Sequence, residues 1–194
     1  MRAMREPTTP PGPEPATAEA SALVARARAG DESAWADLVA RYARRVYALA
    51  RSRSLGPDLA EEVTQSVFVT VAEQFDAGAY REAGRFEPWL FRIAMNRLRD
   101  AVRAERRRAR ALDGAARSLR DGPHPPPDAD ERQRLRRALS DLPEKDREVV
   151  TLRHHAGLEF KRIADLLGEP IGTVLARHHR ALNKLRDMLE EDEP

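Results

Sequence analysis

Four side chains suited to nucleic-acid contact, Arg92, Asn96, Arg99 and Arg103, recur at helical spacing. At roughly 100° per residue they fall within roughly 60° of one another on a helical wheel. Guanidinium groups donate to phosphate oxygens in a planar fork, and an amide offers both donor and acceptor to a base edge. Arg106, Arg107 and Arg108 extend the positive charge toward the helix end. Just upstream, Tyr80, Phe86 and Trp89 stand out in a chain with only 5% aromatic residues. Aromatics beside arginines suit unstacked bases, and the same rings also suit anchoring of the preceding loop on a core. A second basic face follows near the C-terminus, where Thr173, Arg177, Arg180 and Lys184 cluster on one side of a helix.

The stretch from Ser54 to Tyr80 has the opposite character. It holds no Lys or Arg, while Asp58, Glu61, Glu62, Glu73 and Asp76 are acidic. DNA repels such a surface, so Asp58, Glu61, Glu62 and Gln65 point to a protein partner, against the plainer reading of a solvated acidic face.

Other chemistries find no support. There is no cysteine, which excludes disulfides, thiolate metal sites and cysteine nucleophiles. The five histidines are His124 and the adjacent pairs His154-His155 and His178-His179. Adjacent residues do not share a helix face, so neither pair matches a two-histidine metal motif. No catalytic residue, metal or cofactor is expected. No apolar run approaches the ~20 residues that span a bilayer, and the N-terminus lacks the apolar core of a secretory signal. A cytoplasmic chain without membrane insertion is the expectation.

The elements that must carry these faces are helices. In 194 residues with 41% apolar and 34% charged side chains, no alternating strand pattern appears. Residues 1–17 are rich in Pro, Thr and Glu and read as a disordered tail. Trp35, Leu38, Val39, Tyr42, Val46 and Leu49 repeat at helical spacing, with Asp31 or Ser33 as N-cap. Gly56-Pro57 breaks the chain, and Asp58 is a candidate cap for a helix to about Phe75 that turns Val63, Val67 and Val71 inward. After a loop at Asp76–Arg85, a long helix starts near Pro88 and runs to about Arg108, burying Leu90, Ile93, Ala94, Leu98, Ala101 and Val102. Residues 109–131, with Pro125-Pro126-Pro127, read as a flexible linker. Beyond it, a helix at Glu159–Leu167, the turn Gly168-Glu169-Pro170 and a helix from Ile171 to Leu189 form a helix-turn-helix. The second helix is expected to bury Val174, His178, Ala181, Leu182 and Leu185. The fold class is all-α: two small helical domains, 18–108 and 132–194, on a tether. A stand-alone helix-turn-helix regulator is the alternative reading, although it leaves the first domain unexplained.

Four segments together resemble the extracytoplasmic-function (ECF) group of bacterial RNA polymerase sigma factors. GDESAWADLVARYARRVYALA is similar to the start of that family's first conserved domain. AEEVTQSVFVTVAEQF is similar to its helix for the clamp coiled coil of the polymerase β′ subunit. FEPWLFRIAMNRLRDAVRAERRR resembles the segment that opens and reads the minus-ten element. LPEKDREVVTLRHHAGLEFKRIADLLGEPIGTVLARHHRALNKLRDML resembles the second domain, which binds the minus-thirty-five element. The match spans about three quarters of the chain. It implies a non-enzymatic initiation factor that binds core polymerase through its β′ and β subunits and promoter DNA, with an anti-sigma factor as a possible further partner. It places Glu61, Glu62 and Gln65 on polymerase. Phe86, Trp89, Arg92, Asn96 and Arg99 fall at the melted minus-ten strand, and Thr173, Ala176, Arg177 and Arg180 at the upstream element. The chain departs from the family at Leu175, where Lys is usual, at His178, where an apolar residue is common, and at Leu182, where Arg is common. It also departs in the loop Asp76–Arg85. Fewer phosphate contacts imply weaker or altered upstream recognition. The two elements lie nearly two DNA turns apart at ~34 Å per turn, a span within the ~70 Å reach of about 20 extended residues.

Overall fold

The computed structural model describes residues 15–81, 84–113, 134–135 and 137–191, and in the helices the side chains of 19–108 and up to 190. Among these residues every regular element is a helix: α1 (Pro15–Arg28), α2 (Glu32–Arg51), α3 (Pro57–Asp76), α4 (Phe86–Asp113), α5 (134–141, less residue 136), α6 (Glu144–His154), α7 (Phe160–Leu167) and α8 (Ile171–Glu191). Helix α1 begins inside the expected tail. Most of the expected linker lies outside the described residues, and α4 extends five residues past Arg108 into it.

The boundary between α1 and α2 is built locally. Gly30 takes a left-handed conformation (φ +88°), which reverses the chain without a Cβ clash. Asp31 then caps α2, accepting from the Ala34 amide at 3.0 Å. That bond, the Ser33 hydroxyl at 2.7 Å and the Arg26 guanidinium hold the Asp31 carboxyl well below the usual carboxylate range. At α3 the expected cap does not form. Gly56 is the N-cap, Pro57 opens the helix, and Asp58 lies in the first turn. A proline there sacrifices no bond, because the first amides of a helix lack partners.

The core of the first unit joins one stripe from each long helix. Leu38, Tyr42, Val46 and Leu49 of α2 meet Val63, Val67 and Val71 of α3 and Leu90, Ala94 and Leu98 of α4. Phe91 and Met95 are also buried, whereas Ile93, Ala101 and Val102 are only partly covered. The buried side of α4 is thus rotated from the expected one. In the second unit, Ala138, Leu139, Leu142, Val150, Ala181 and Leu185 form a smaller cluster. The larger core does not stop at α4, because it continues through Val149, Leu152, Leu158, Ile163 and Leu166 to Val174. The two units therefore pack directly on each other, α4 against α7.

Leu38 has no exposed surface, and truncating such a side chain removes transfer energy and leaves a cavity. Leu38→Ala is expected to cost about 2–5 kcal/mol, measured as a lowered urea midpoint at unchanged slope.

Candidate nucleic-acid interface

On α3, Asp58, Glu61, Glu62 and Gln65 are all exposed, while the three inward valines fix their direction. Val69 follows Glu62 by seven residues and Gln65 by four, and it is 57% exposed. These positions form one outward stripe. An apolar side chain among carboxylates suits a protein surface better than a phosphate backbone.

The loop before α4 is fixed by rings. Phe86 is only 4% exposed, packed against Tyr42 at 5.5 Å and Tyr80 at 5.7 Å. Trp89 is half-buried, stacked on Phe75 and 4.3 Å from Tyr80. Of the two readings of these aromatics, Phe86 follows the structural one: its face is not open to a base. Trp89 keeps an accessible part.

The arginine stripe of α4 is placed where the pattern puts it, with Arg92, Asn96 and Arg103 exposed and two of its arginines bonded to the second unit. Arg92 donates through Nη2 to the Leu166 carbonyl at 3.1 Å and, more weakly, to that of Asp165 at 3.4 Å. These are last-turn carbonyls of α7, which have no partner within their own helix and carry its negative dipole end. Arg99 pairs with the buried Glu148 at 2.5 Å and donates to Asn96 Oδ1 at 3.1 Å. Arg103 is exposed.

Three further arginines join the units, and nothing in the helical periodicity singles them out. Arg45 lies across the Tyr42 and Phe91 rings, bonds the Ala156 carbonyl at 2.6 Å and pairs with Glu87 at 2.5 Å. Arg53 pairs with Glu144 at 2.8 Å, and Arg162 donates to the Gly84 carbonyl at 2.9 Å. Burial acts to raise the Glu144 carboxyl. The bonds and charge of Arg53, then of Arg147, outweigh it and hold the group below its ordinary value.

The helix-turn-helix forms as α7, a turn and α8. Gly168 ends α7 in a left-handed conformation (φ +68°), a position where an L side chain is strained. Arg177 is tied to Glu169 of the turn. Ala176, Arg180 and Lys184 are exposed and Thr173 is half-buried, with Arg180 reaching Asp146 at 3.9 Å. Val174, Ala181 and Leu185 are buried as expected. Leu182 is not: it is 38% exposed, and His178 is only half-buried. The wheel position of Leu182 lies at the edge of the apolar face, toward solvent. His178 instead meets His154 of α6, Nε2 to Nε2 at 2.9 Å, with Phe160 edge-on at 5.0 Å. The sequence separates the two histidine pairs, and the fold brings one member of each together. Burial, then the charge of His154, Arg153 and His179, lowers the His178 pKa.

Two helical units, one with a helix-turn-helix and the other with an arginine-striped helix, have the form of a DNA-binding protein. The comparisons agree. Residues 38–108 match Sigma-70 region 2, and residues 132–187 match Sigma-70, region 4. The RNA polymerase sigma factor CarQ of Myxococcus xanthus is 37% identical over 86% of this chain and 95% of its own length. The ECF RNA polymerase sigma-E factor of Escherichia coli K12 is 31% identical over 82% of this chain and 88% of its own. Among solved structures, CnrH in complex with the cytosolic domain of CnrY aligns with TM-score 0.69 and 27% identity, over 89% of this chain and 98% of that one. The sigma factor RpoE of Bartonella quintana, in complex with the anti-sigma factor NepR, aligns with TM-score 0.59 and 25% identity, over 81% and 97%. The chain belongs to the ECF group of RNA polymerase sigma factors, a family of transcription initiation factors. That membership accounts for both units and sets aside the stand-alone regulator. No helix among the described residues is long and apolar enough to cross a membrane.

Two outcomes follow from this geometry. Arg45→Ala combined with Glu148→Ala removes acceptor and donor groups from the junction of the units. Small-angle scattering is expected to give a radius of gyration well above the about 16 Å of a compact chain this long, with helical circular dichroism retained. The second concerns His178, whose folded pKa lies below the ordinary value of about 6.5. Between those two values the unfolded chain binds more protons, so stability is complete above about 6.5 and declines as pH falls toward the folded pKa. Melting temperatures from pH 7.5 to 5.5 are expected to drop, with a shallower fall for His178→Leu.

Proposed function

We propose that this chain binds core RNA polymerase through α3 and recognises promoters through α4 and α8. Asp58, Glu61, Glu62 and Gln65 dock on the β′ clamp coiled coil. Trp89, Arg92, Asn96, Arg99 and Arg103 hold the minus-ten strand, with Phe86 fixing the loop from behind. Thr173, Ala176, Arg177, Arg180 and Lys184 face the minus-thirty-five element. Residues 18–108 and 132–194 serve as the two promoter-reading units, and 109–131 as the link between them. The observation that carries this reading is the contrast of charge: α3 holds no Lys or Arg and its outward face is acidic and exposed, while exposed arginines lie on α4 and α8. Nothing in the role makes or breaks a covalent bond, so no catalytic group is needed. The chain acts in the cytoplasm, where polymerase and promoters are, and an anti-sigma factor is a fitting negative partner.

The closed arrangement sets an order of events. The α3 stripe is accessible while Arg92 and Arg99 are engaged by the second unit. Docking on polymerase therefore comes first, and the arginines exchange protein oxygens for phosphate oxygens as the units separate. The unstacking of bases costs a few kcal/mol, offset by stacking and charge-assisted bonds.

Run-off transcription with core polymerase on a cognate promoter, paired with a core-binding assay, tests the division of labour. Glu61→Lys with Glu62→Lys is expected to weaken core binding at least tenfold, about 1.4 kcal/mol, and to abolish transcripts. Arg177→Ala is expected to leave core binding intact and to weaken upstream recognition with a smaller salt dependence. Wild-type transcription by the charge-reversed chain contradicts the reading.

A further inference from the structure

A cavity of about 480 Å³ lies where the α2–α3 turn, the C-terminal half of α4 and the start of α6 converge. Arg53, Arg99, Arg103, Arg106 and Arg147 line it, against the carboxylates of Glu105 and Glu144. Both carboxylates are already engaged, Glu144 by Arg53 and Arg147, and Glu105 by Arg108 at 3.8 Å. Arg99 is paired with Glu148, and Arg103 and Arg106 are exposed, so among the described residues the cavity carries an excess of positive charge.

Two of the lining arginines keep buried donors that have no acceptor among the described residues. The Arg53 side chain is only 9% exposed. Its Nη1 reaches Glu144, yet Nε and Nη2 are buried with no hydrogen-bond partner. Arg147, 12% exposed, gives Nη1 to the Ser140 carbonyl and Nη2 to Glu144, which leaves its buried Nε unpartnered. Buried charged donors left in this state are costly, and native proteins rarely tolerate them without a bound acceptor. Guanidinium forks match tetrahedral phosphate oxygens. Leu55, Leu98 and Val102 also line the cavity, an apolar part that suits an organic body beside the anion. The volume suits a small molecule. A DNA backbone meets Arg103 and Arg106, exposed at the rim, but does not reach a side chain as enclosed as Arg53. A single carboxylate carries too little charge for so many arginines.

We propose that this cavity is a binding site for a small phosphorylated molecule, a diphosphate or larger, held by Arg53, Arg103, Arg106 and Arg147. These residues come from both units, so the ligand bridges the junction and favours the closed chain. Binding itself does not depend on the promoter-recognition reading above.

Titration calorimetry of the full chain with magnesium-free pyrophosphate tests the site. The expected result is saturable binding at one molecule per chain. Arg53→Gln is expected to weaken it at least tenfold. Because Arg53 also pairs with Glu144, a second variant, Arg103→Gln with Arg106→Gln, changes only exposed side chains and is expected to lose at least tenfold with its fold intact. Arg41→Gln with Arg44→Gln, exposed on α2 away from the cavity, is expected to bind as the parent does. Absence of saturable binding overturns the proposal. So does a loss in the α2 variant equal to that in the cavity variants, or parent-like binding by the Arg103/Arg106 variant.

Discussion

Guanidinium groups at the junction of the two units must find oxygen acceptors wherever packing removes their water. Arg45, Arg53, Arg92 and Arg99 of the first unit find them in the second: the Ala156 carbonyl, Glu144, the end of α7 and Glu148. Losing those acceptors without a replacement leaves desolvated charge, which costs more than a pair between exposed groups yields. The closed arrangement is therefore held by groups whose chemistry equally suits phosphate. Exchange of one oxygen acceptor for another, water included, requires little net energy. This makes the junction a two-state element, biased by whatever supplies competing oxygens.

Apolar packing sets the other side of that balance. The large core runs without interruption from α2 through α4 into Ile163, Leu166 and Val174. Separating the units exposes part of it to water, at about 25 cal/mol for each Å² of apolar surface. On the proposed reading, polymerase and promoter together offset that exposure. On the proposed reading, a chain alone in solution favours closure, and the binding energy of two large partners is what shifts it.

The sequence was most legible where structure is local. Helical periodicity found α2, α3, α4, α7 and α8, and the breaks at Gly56-Pro57 and Gly168-Glu169-Pro170 fell at helix ends because proline and left-handed glycine act on the backbone itself. The inward valines of α3 followed directly from 3.6-residue spacing. Capping was less secure: Asp58 has the chemistry of a cap, but Pro57 already occupies the first helical position, so Gly56 takes the role. Faces were legible only to first order. A wheel assumes one contacting side per helix, whereas α4 has two: Phe91 and Met95 belong to the core, while the exposed Arg92 and half-buried Arg99 bond the second unit. The burial of Phe86 and the exposure of Leu182 were not legible for the same reason, since both depend on which distant element arrives, a ring of Tyr42 in the first case. Arg45 and the His154–His178 pair carried no local signal at all, being contacts across 111 and 24 residues.

The departures of α8 from the family pattern acquire a physical meaning in this setting. Leu175 and Leu182 are exposed, together with Ile171, so positions where the family commonly places cations offer methyl groups instead. Arg177, among the residues proposed for the upstream element, is already paired with Glu169 of its own turn. A phosphate approaching this helix must displace that carboxylate, which lowers the gain from the contact and the number of counterions released. His178, drawn to His154, ties the helix to α6 where an apolar side chain would pack without regard to pH. On the proposed reading, upstream recognition then leans on Arg180 and Lys184 and on apolar contact with base methyl groups. The α4 surface would carry a correspondingly larger share of promoter affinity, and that is the surface from which Arg92 and Arg99 reach the second unit.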